Sequence, residues 1–96
     1  MNNFVLLEVA KSEYFSALQW YSGKSLAVAE RFSSEFNAAI ESIVRNPEQH
    51  PRWDDQHRYY LLNDFPYFVG YRYQPDEILI VAVRHTSQDQ DVWVTR

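Results

Sequence analysis

Six consecutive apolar residues, Ile78–Val83, stand without a polar interruption in a chain of 96 residues. A run that short and that rich in β-branched residues reads as a strand. A strand apolar on both faces is covered on both, which places it centrally in a sheet. From Phe65 the sequence runs FPYFVGYRYQPDEILIVAVRH, so a second apolar run precedes the first and Pro75-Asp76 separates them. Pro75 fits the second position of a turn because its ring fixes φ. With Pro75 and Asp76 as the turn residues, Gln74 faces Glu77 and Arg72 faces Leu79. Tyr67, Val69, Tyr71 and Tyr73 then share a face with Ile78, Ile80, Ala82 and Arg84. Phe68, Gly70 and Arg72 share the other with Leu79, Val81, Val83 and His85. The first set is larger and more apolar and is the expected core face; a slip of one residue would reverse the two.

The rest of the chain reads as cover for this hairpin. Phe4–Glu8 is a short apolar run and a first strand. From Ala10 the period changes: Tyr14, Leu18 and Tyr21 recur at helical spacing, and Gly23 offers a left-handed stop, giving a helix over Ala10–Ser22. Ser25 suits an N-cap. Ala29, Phe32, Phe36, Ala39 and Ile43, with Ile40 beside them, form one sustained stripe that ends at Pro47, because Asn46 before it is pushed out of helical geometry. The linker between the helices is short, so they form an antiparallel hairpin, and both stripes read as core packing against the sheet. The segment Pro47–His57 is a loop, with Trp53 exposed unless it folds back over the core. Arg58–Leu62 is a further strand, and Val92–Val94 a short edge strand or turn. The order predicts one α+β domain over 1–96: an N-terminal strand and an antiparallel helical hairpin packed on one face of a mostly antiparallel sheet. The opposite face carries Phe68, Val81 and Val83 with no helix to cover it, and an uncovered apolar face is a binding surface. Gly70, in mid-strand, marks a bulge or the close approach of a partner's backbone.

Composition removes several function classes. Three Trp, seven Tyr and six Phe in so short a chain are more than a core needs, and surplus Tyr and Trp also mark interfaces. There is no cysteine, hence no disulfide framework and no thiolate metal site, and three unclustered histidines argue against zinc. No cofactor is expected. No run reaches the length of a membrane span and no signal-peptide pattern is present, so a soluble cytoplasmic protein is expected. A net charge of −4 is opposite to that of a generic nucleic-acid binder.

Taken together, Leu18-Gln19-Trp20-Tyr21, Ala29-Glu30-Arg31-Phe32, Arg45-Asn46-Pro47, Phe65-Pro66-Tyr67, Tyr71-Arg72, Ile80–His85, Trp93 and Arg96 resemble the RelE/ParE toxin superfamily of bacterial toxin–antitoxin modules over nearly the whole chain. The resemblance implies the toxin half of a two-component module, partnered by a cognate antitoxin, as a homodimer or a heterotetramer with it. The superfamily divides into RelE-like ribosome-dependent mRNA endonucleases and ParE-like proteins that bind DNA gyrase. RNA cleavage by 2′-hydroxyl attack needs a base, an acid and cations on the phosphate. Here Phe68 stands where RelE-like nucleases usually carry an Arg, Gln88 stands where another Arg is common, and Arg58 alone stands where lysines are frequent. The resemblance therefore implies a ParE-like binding toxin directed at gyrase. A RelE-like nuclease acting on ribosome-bound mRNA through His85, Arg72 and Arg58, or a non-toxic antitoxin-binding remnant, are the alternatives. The residues expected to meet target or antitoxin are Phe68, Arg72, Arg84, Trp93 and Arg96. Plainer roles stand beside these: His85 as a hydrogen-bonded residue at the sheet's edge against Trp93, Arg72 and Arg84 in surface ion pairs, Trp93 as a lid on the core.

Overall fold

A computed structural model describes residues 3–89 and 91–96; Met1, Asn2 and Gln90, the last in the expected polar loop, lie outside them. Four strands and two helices follow in the order β1 (Asn3–Leu6), α1 (Glu8–Ser22), α2 (Leu26–Arg45), β2 (His57–Leu61), β3 (Tyr67–Gln74) and β4 (Glu77–His85), with a closing 3₁₀ turn over Val92–Thr95. The sheet order is β1-β4-β3-β2. The uninterrupted apolar strand β4 is central, as its two-sided apolarity requires. β2–β3 and β3–β4 are antiparallel, while β1 joins β4 in parallel.

The helices form for the reasons legible in their residues. Ser25 caps α2 by accepting a hydrogen bond from the Val28 amide at 3.3 Å, and Asn46 before Pro47 leaves helical geometry at φ −138°. The whole stripe Ala29, Phe32, Phe36, Ala39, Ile40 and Ile43 is buried. Gly23 stops α1 with φ −68°, in right-handed rather than left-handed geometry. α1 also begins two residues earlier than its periodicity suggests, because Leu7 is the cap and the Lys11 amide already bonds its carbonyl.

The hairpin turns at Pro75-Asp76 with Gln74 opposite Glu77 and Arg72 opposite Leu79, as expected. The face assignment holds only for its first half. Between Gly70 and Tyr71 the register shifts, pairing Gly70 with Ala82 but Tyr71 with Ile80, so Val81 is an extra residue in β4. Such a bulge reverses the alternation beyond it. Ala82 and Arg84 therefore move to the face of Phe68, and Val83 and His85 join Val69 and Tyr67 beneath the helices. The closing segment Val92–Thr95 is a 3₁₀ turn, the second of the two expected forms.

On the helix-covered face, Tyr14 packs on Phe32 and Phe36, and Tyr21 on Phe32, Phe65 and Tyr67, at centroid distances of 4.2–6.2 Å. Glu35 of α2 reaches across to accept hydrogen bonds from the backbone amides of Asn63 and Asp64, tying the helix to the β2–β3 connection.

Candidate functional site

The second face of the sheet is not bare. Trp53 folds back from the loop before β2 and lies parallel to Phe68, centroids 5.6 Å apart. Trp93 comes in from the closing turn and meets both rings, at 5.2 Å from Trp53 and 5.7 Å from Phe68. Trp93 is fully buried and Phe68 is 3% exposed. Gly70 makes room for this lid: a Cβ there would lie 2.7 Å from Cζ3 of Trp93. The glycine thus serves both the bulge and a close approach, and what approaches is the chain's own indole. Phe68 and Trp93 are parts of a second small core, so the uncovered face expected from the sequence is absent.

Beyond Ile80, β1 no longer runs beside β4, and side chains take over the edge. Glu13 of α1 accepts a hydrogen bond from the Val83 amide at 3.0 Å and from Arg84 Nη1 at 3.0 Å. Arg96 donates to both oxygens of the same carboxylate, at 2.7 and 3.0 Å, and to the Val81 carbonyl at 3.1 Å. Arg84 Nη2 also donates to the Asp89 carbonyl. A forked arginine–carboxylate pair is the stronger kind of charged contact, and it shields an edge that would otherwise offer unpaired backbone groups. Arg84 and Arg96 are therefore committed within the fold. Glu13, which organises both, carries no local sequence signal, since its partners lie about 70 and 83 residues away.

Arg58 and Arg72 behave differently. They are brought together at the far end of the sheet, where β2, the end of β3 and the preceding loop surround a polar groove of about 560 Å³ that Arg52 also lines. Arg58 donates to the His50 carbonyl at 2.8 Å. Among the described residues neither Arg52 nor Arg72 forms an ion pair, and the buried Nε of Arg72 has no hydrogen-bond partner. His57 lines the groove at 3% exposure, with its ring edge-on to Trp93 at 5.2 Å. Its Nδ1 lies 2.8 Å from Asp54 Oδ1, which also accepts from the amides of Gln56 and His57. Burial alone would raise the Asp54 carboxyl; the hydrogen bonds from Gln56 and His57, with the charge of the imidazole, hold it below the usual range. Arg52, Asp54 and His57 were not singled out by sequence. The Asp54–His57 spacing of three after Pro51 is the one local hint, an acidic side chain turned back on its own backbone.

His85 sits at the opposite end. It is paired with Tyr67, five residues before Arg72 on the same strand, so roughly 16 Å of strand separates it from the groove. Its ring meets Tyr67 edge-on at 5.2 Å, not Trp93. The Ser87 amide donates to Nδ1 at 3.0 Å and Ser87 Oγ lies 2.7 Å from the same atom. The neutral ring therefore carries its proton on Nε2. Gln88 accepts a hydrogen bond from the His85 amide at 2.8 Å and so braces the backbone there.

No cluster of potential metal-ligating side chains occurs among the described residues, and no described helix is long and apolar enough to cross a membrane. Large apolar side chains are exposed on α1, where Phe15 is 53% and Trp20 61% accessible, and Lys24 lies over the Trp20 ring at 4.5 Å.

Comparison with known proteins bears on the whole domain. No match is found among curated proteins. Among solved structures seven chains match, and one, from the chromosomal ParDE toxin–antitoxin system of P. aeruginosa, superposes with a TM-score of 0.63 at 15% identity, over 88% of this chain and 96% of that one. At that identity the likeness speaks for the fold. The sequence model of the ParE toxin of type II toxin–antitoxin systems matches residues 5–90, and the chain accordingly belongs to the ParE toxin family.

Proposed function

We propose that this chain is a growth-arresting toxin that acts by binding a protein target, DNA gyrase, and that its cognate antitoxin neutralises it. Membership of the family implies the antitoxin; the mode of action is the further step. The observation that supports binding over RNA cleavage is the dispersal of the nuclease candidates. A phosphodiester needs its acid, base and cations within hydrogen-bond reach of one phosphate, about 3 Å from the atoms each serves. Here His85 and the Arg58–Arg72 pair lie at opposite ends of β3. The position where a nuclease would carry a phosphate-binding Arg holds Phe68, sealed beneath Trp53 and Trp93. Arg84 and Arg96 are occupied by Glu13.

Phe15 and Trp20, both exposed on α1, offer apolar area to a partner that stays bound, as an antitoxin does, since long-lived interfaces are more apolar than transient ones. The test is induced expression in a bacterium with DNA supercoiling and mRNA integrity followed together. Arrest with perturbed supercoiling and intact mRNA is expected. Codon-positioned mRNA cleavage would overturn the reading, and absence of arrest would mark a remnant that only binds antitoxin. His85→Ala is expected to arrest growth as the parent does; a folded variant that no longer arrests would return His85 to a catalytic role.

A further inference from the structure

Among the described residues, none of the arginines in the groove between β2, the end of β3 and the preceding loop takes part in the fold's own ion pairs, which there involve only Asp54 and His57. Arg52, Arg58 and Arg72 line the groove. Glu48 and Asp55 line the same walls, yet neither pairs with these guanidinium groups. Asp54 is already taken by His57 and two backbone amides. Two buried nitrogens, Arg72 Nε and His57 Nε2, are without partners. A guanidinium N–H that is out of water and unpaired is destabilising until an oxygen acceptor meets it. Because a guanidinium fork matches a carboxylate in two parallel hydrogen bonds, an acidic side chain is the natural complement.

We propose that this groove is the surface with which the chain grips its protein target, and that it receives an acidic peptide segment whose carboxylates pair with Arg72 and Arg52. The inference rests on the reading that the chain acts by binding a protein. Charge distinguishes the occupant. A nucleic-acid strand presents a continuous row of phosphates, which Glu48 and Asp55 on the same walls and a net charge of −4 would repel. A peptide places its acids singly and can set amides beside those carboxylates. The polar, open character of the groove also separates it from the apolar face of α1. Polar, charge-matched surfaces suit an encounter steered by electrostatics, such as that of free toxin with its target.

The test uses the full chain, its cognate antitoxin and the double variant Arg52→Glu/Arg72→Glu. Melting temperature and circular dichroism establish that the variant folds. The variant is expected to bind antitoxin within threefold of the parent and to lose growth arrest. In parallel, anisotropy of a labelled decapeptide carrying two separated glutamates among uncharged polar residues is expected to report binding to the parent that weakens with salt and falls at least tenfold in the variant. A uridylate decamer at equal concentration is expected not to displace the peptide. A folded variant that arrests growth like the parent, or a parent that prefers the RNA decamer, overturns the proposal. Loss of antitoxin affinity with arrest retained assigns the groove to the antitoxin and overturns it too. A parent chain that causes no arrest would remove the toxin reading, while the peptide measurement still decides the groove.

Discussion

The two faces of the sheet are buried by different means. One is covered by α1 and α2, whose apolar residues recur every three or four positions and pack as broad stripes. The other is covered by single rings sent from distant places: Trp53 from a loop and Trp93 from the closing turn, over Phe68 and the gap that Gly70 leaves. The first distributes its stability over many contacts. The second concentrates it in a few large side chains, so it should fail more abruptly when one of them is removed.

The largest effect is expected at that lid. Trp93→Ala removes a fully buried indole and should cost about 3–5 kcal/mol, read as a drop in unfolding midpoint by denaturant titration. Gly70→Ala pushes the same ring from below and should cost about 1–3 kcal/mol by overpacking. If both were neutral, the second face would not be a core. Next comes the edge of β4. Glu13→Ala leaves two mostly buried guanidinium groups and the Val83 amide without their acceptor, at about 3 kcal/mol in the same titration.

On the helix-covered face the critical polar contact is smaller. Tyr71 is fully buried and donates to the Pro47 carbonyl at 2.6 Å. Burial pushes its phenol up to about 12, partly opposed by the charge of Arg58. A phenol held above its unfolded value of about 10 contributes stability that is whole below about pH 10 and is lost as pH rises through about 12. The gap corresponds to about 3 kcal/mol across that window. Tyr71→Phe should cost about 1 kcal/mol at pH 7 and should blunt the alkaline loss without abolishing it, since burial also raises Tyr67 and Tyr21. Unfolding midpoints across pH 9–12 check the difference. The smallest effect on stability is expected at Trp20→Ser, within about 0.5 kcal/mol because the ring is mostly in water. Titration calorimetry of this variant should nevertheless record weaker antitoxin binding; unchanged affinity would move the antitoxin off the exposed Trp20 of α1.

The contrast between the faces also explains what the sequence could reveal. Periodicity placed both helices, the Ser25 cap and the Pro47 stop, because each of these is decided within a few residues. The central position of β4 and the Pro75-Asp76 register were likewise local. A bulge was signalled by Gly70 in mid-strand, but not that β4 would carry the extra residue at Val81, nor that the group against Gly70 is the indole of Trp93, more than twenty residues away. The extra residue reverses the alternation from Ala82 onward, and the two indoles, Trp53 and Trp93, cover Phe68. Of the expected contact residues, Arg72 alone remains open to a partner; Phe68 and Trp93 are enclosed, and Arg84 and Arg96 answer to Glu13. Spacing along a chain identifies faces, but which distant group fills a gap depends on tertiary packing that no local pattern encodes.

This toxin is expected to act by binding and not by cutting RNA. The most direct measurement is a supercoiling assay with purified gyrase and relaxed plasmid, the chain added with and without its antitoxin, alongside translating ribosomes programmed with a defined mRNA. Supercoiling is expected to fall or cleaved plasmid to accumulate, antitoxin to restore the enzyme, and the mRNA to stay whole. Undisturbed gyrase together with cut mRNA would contradict that expectation.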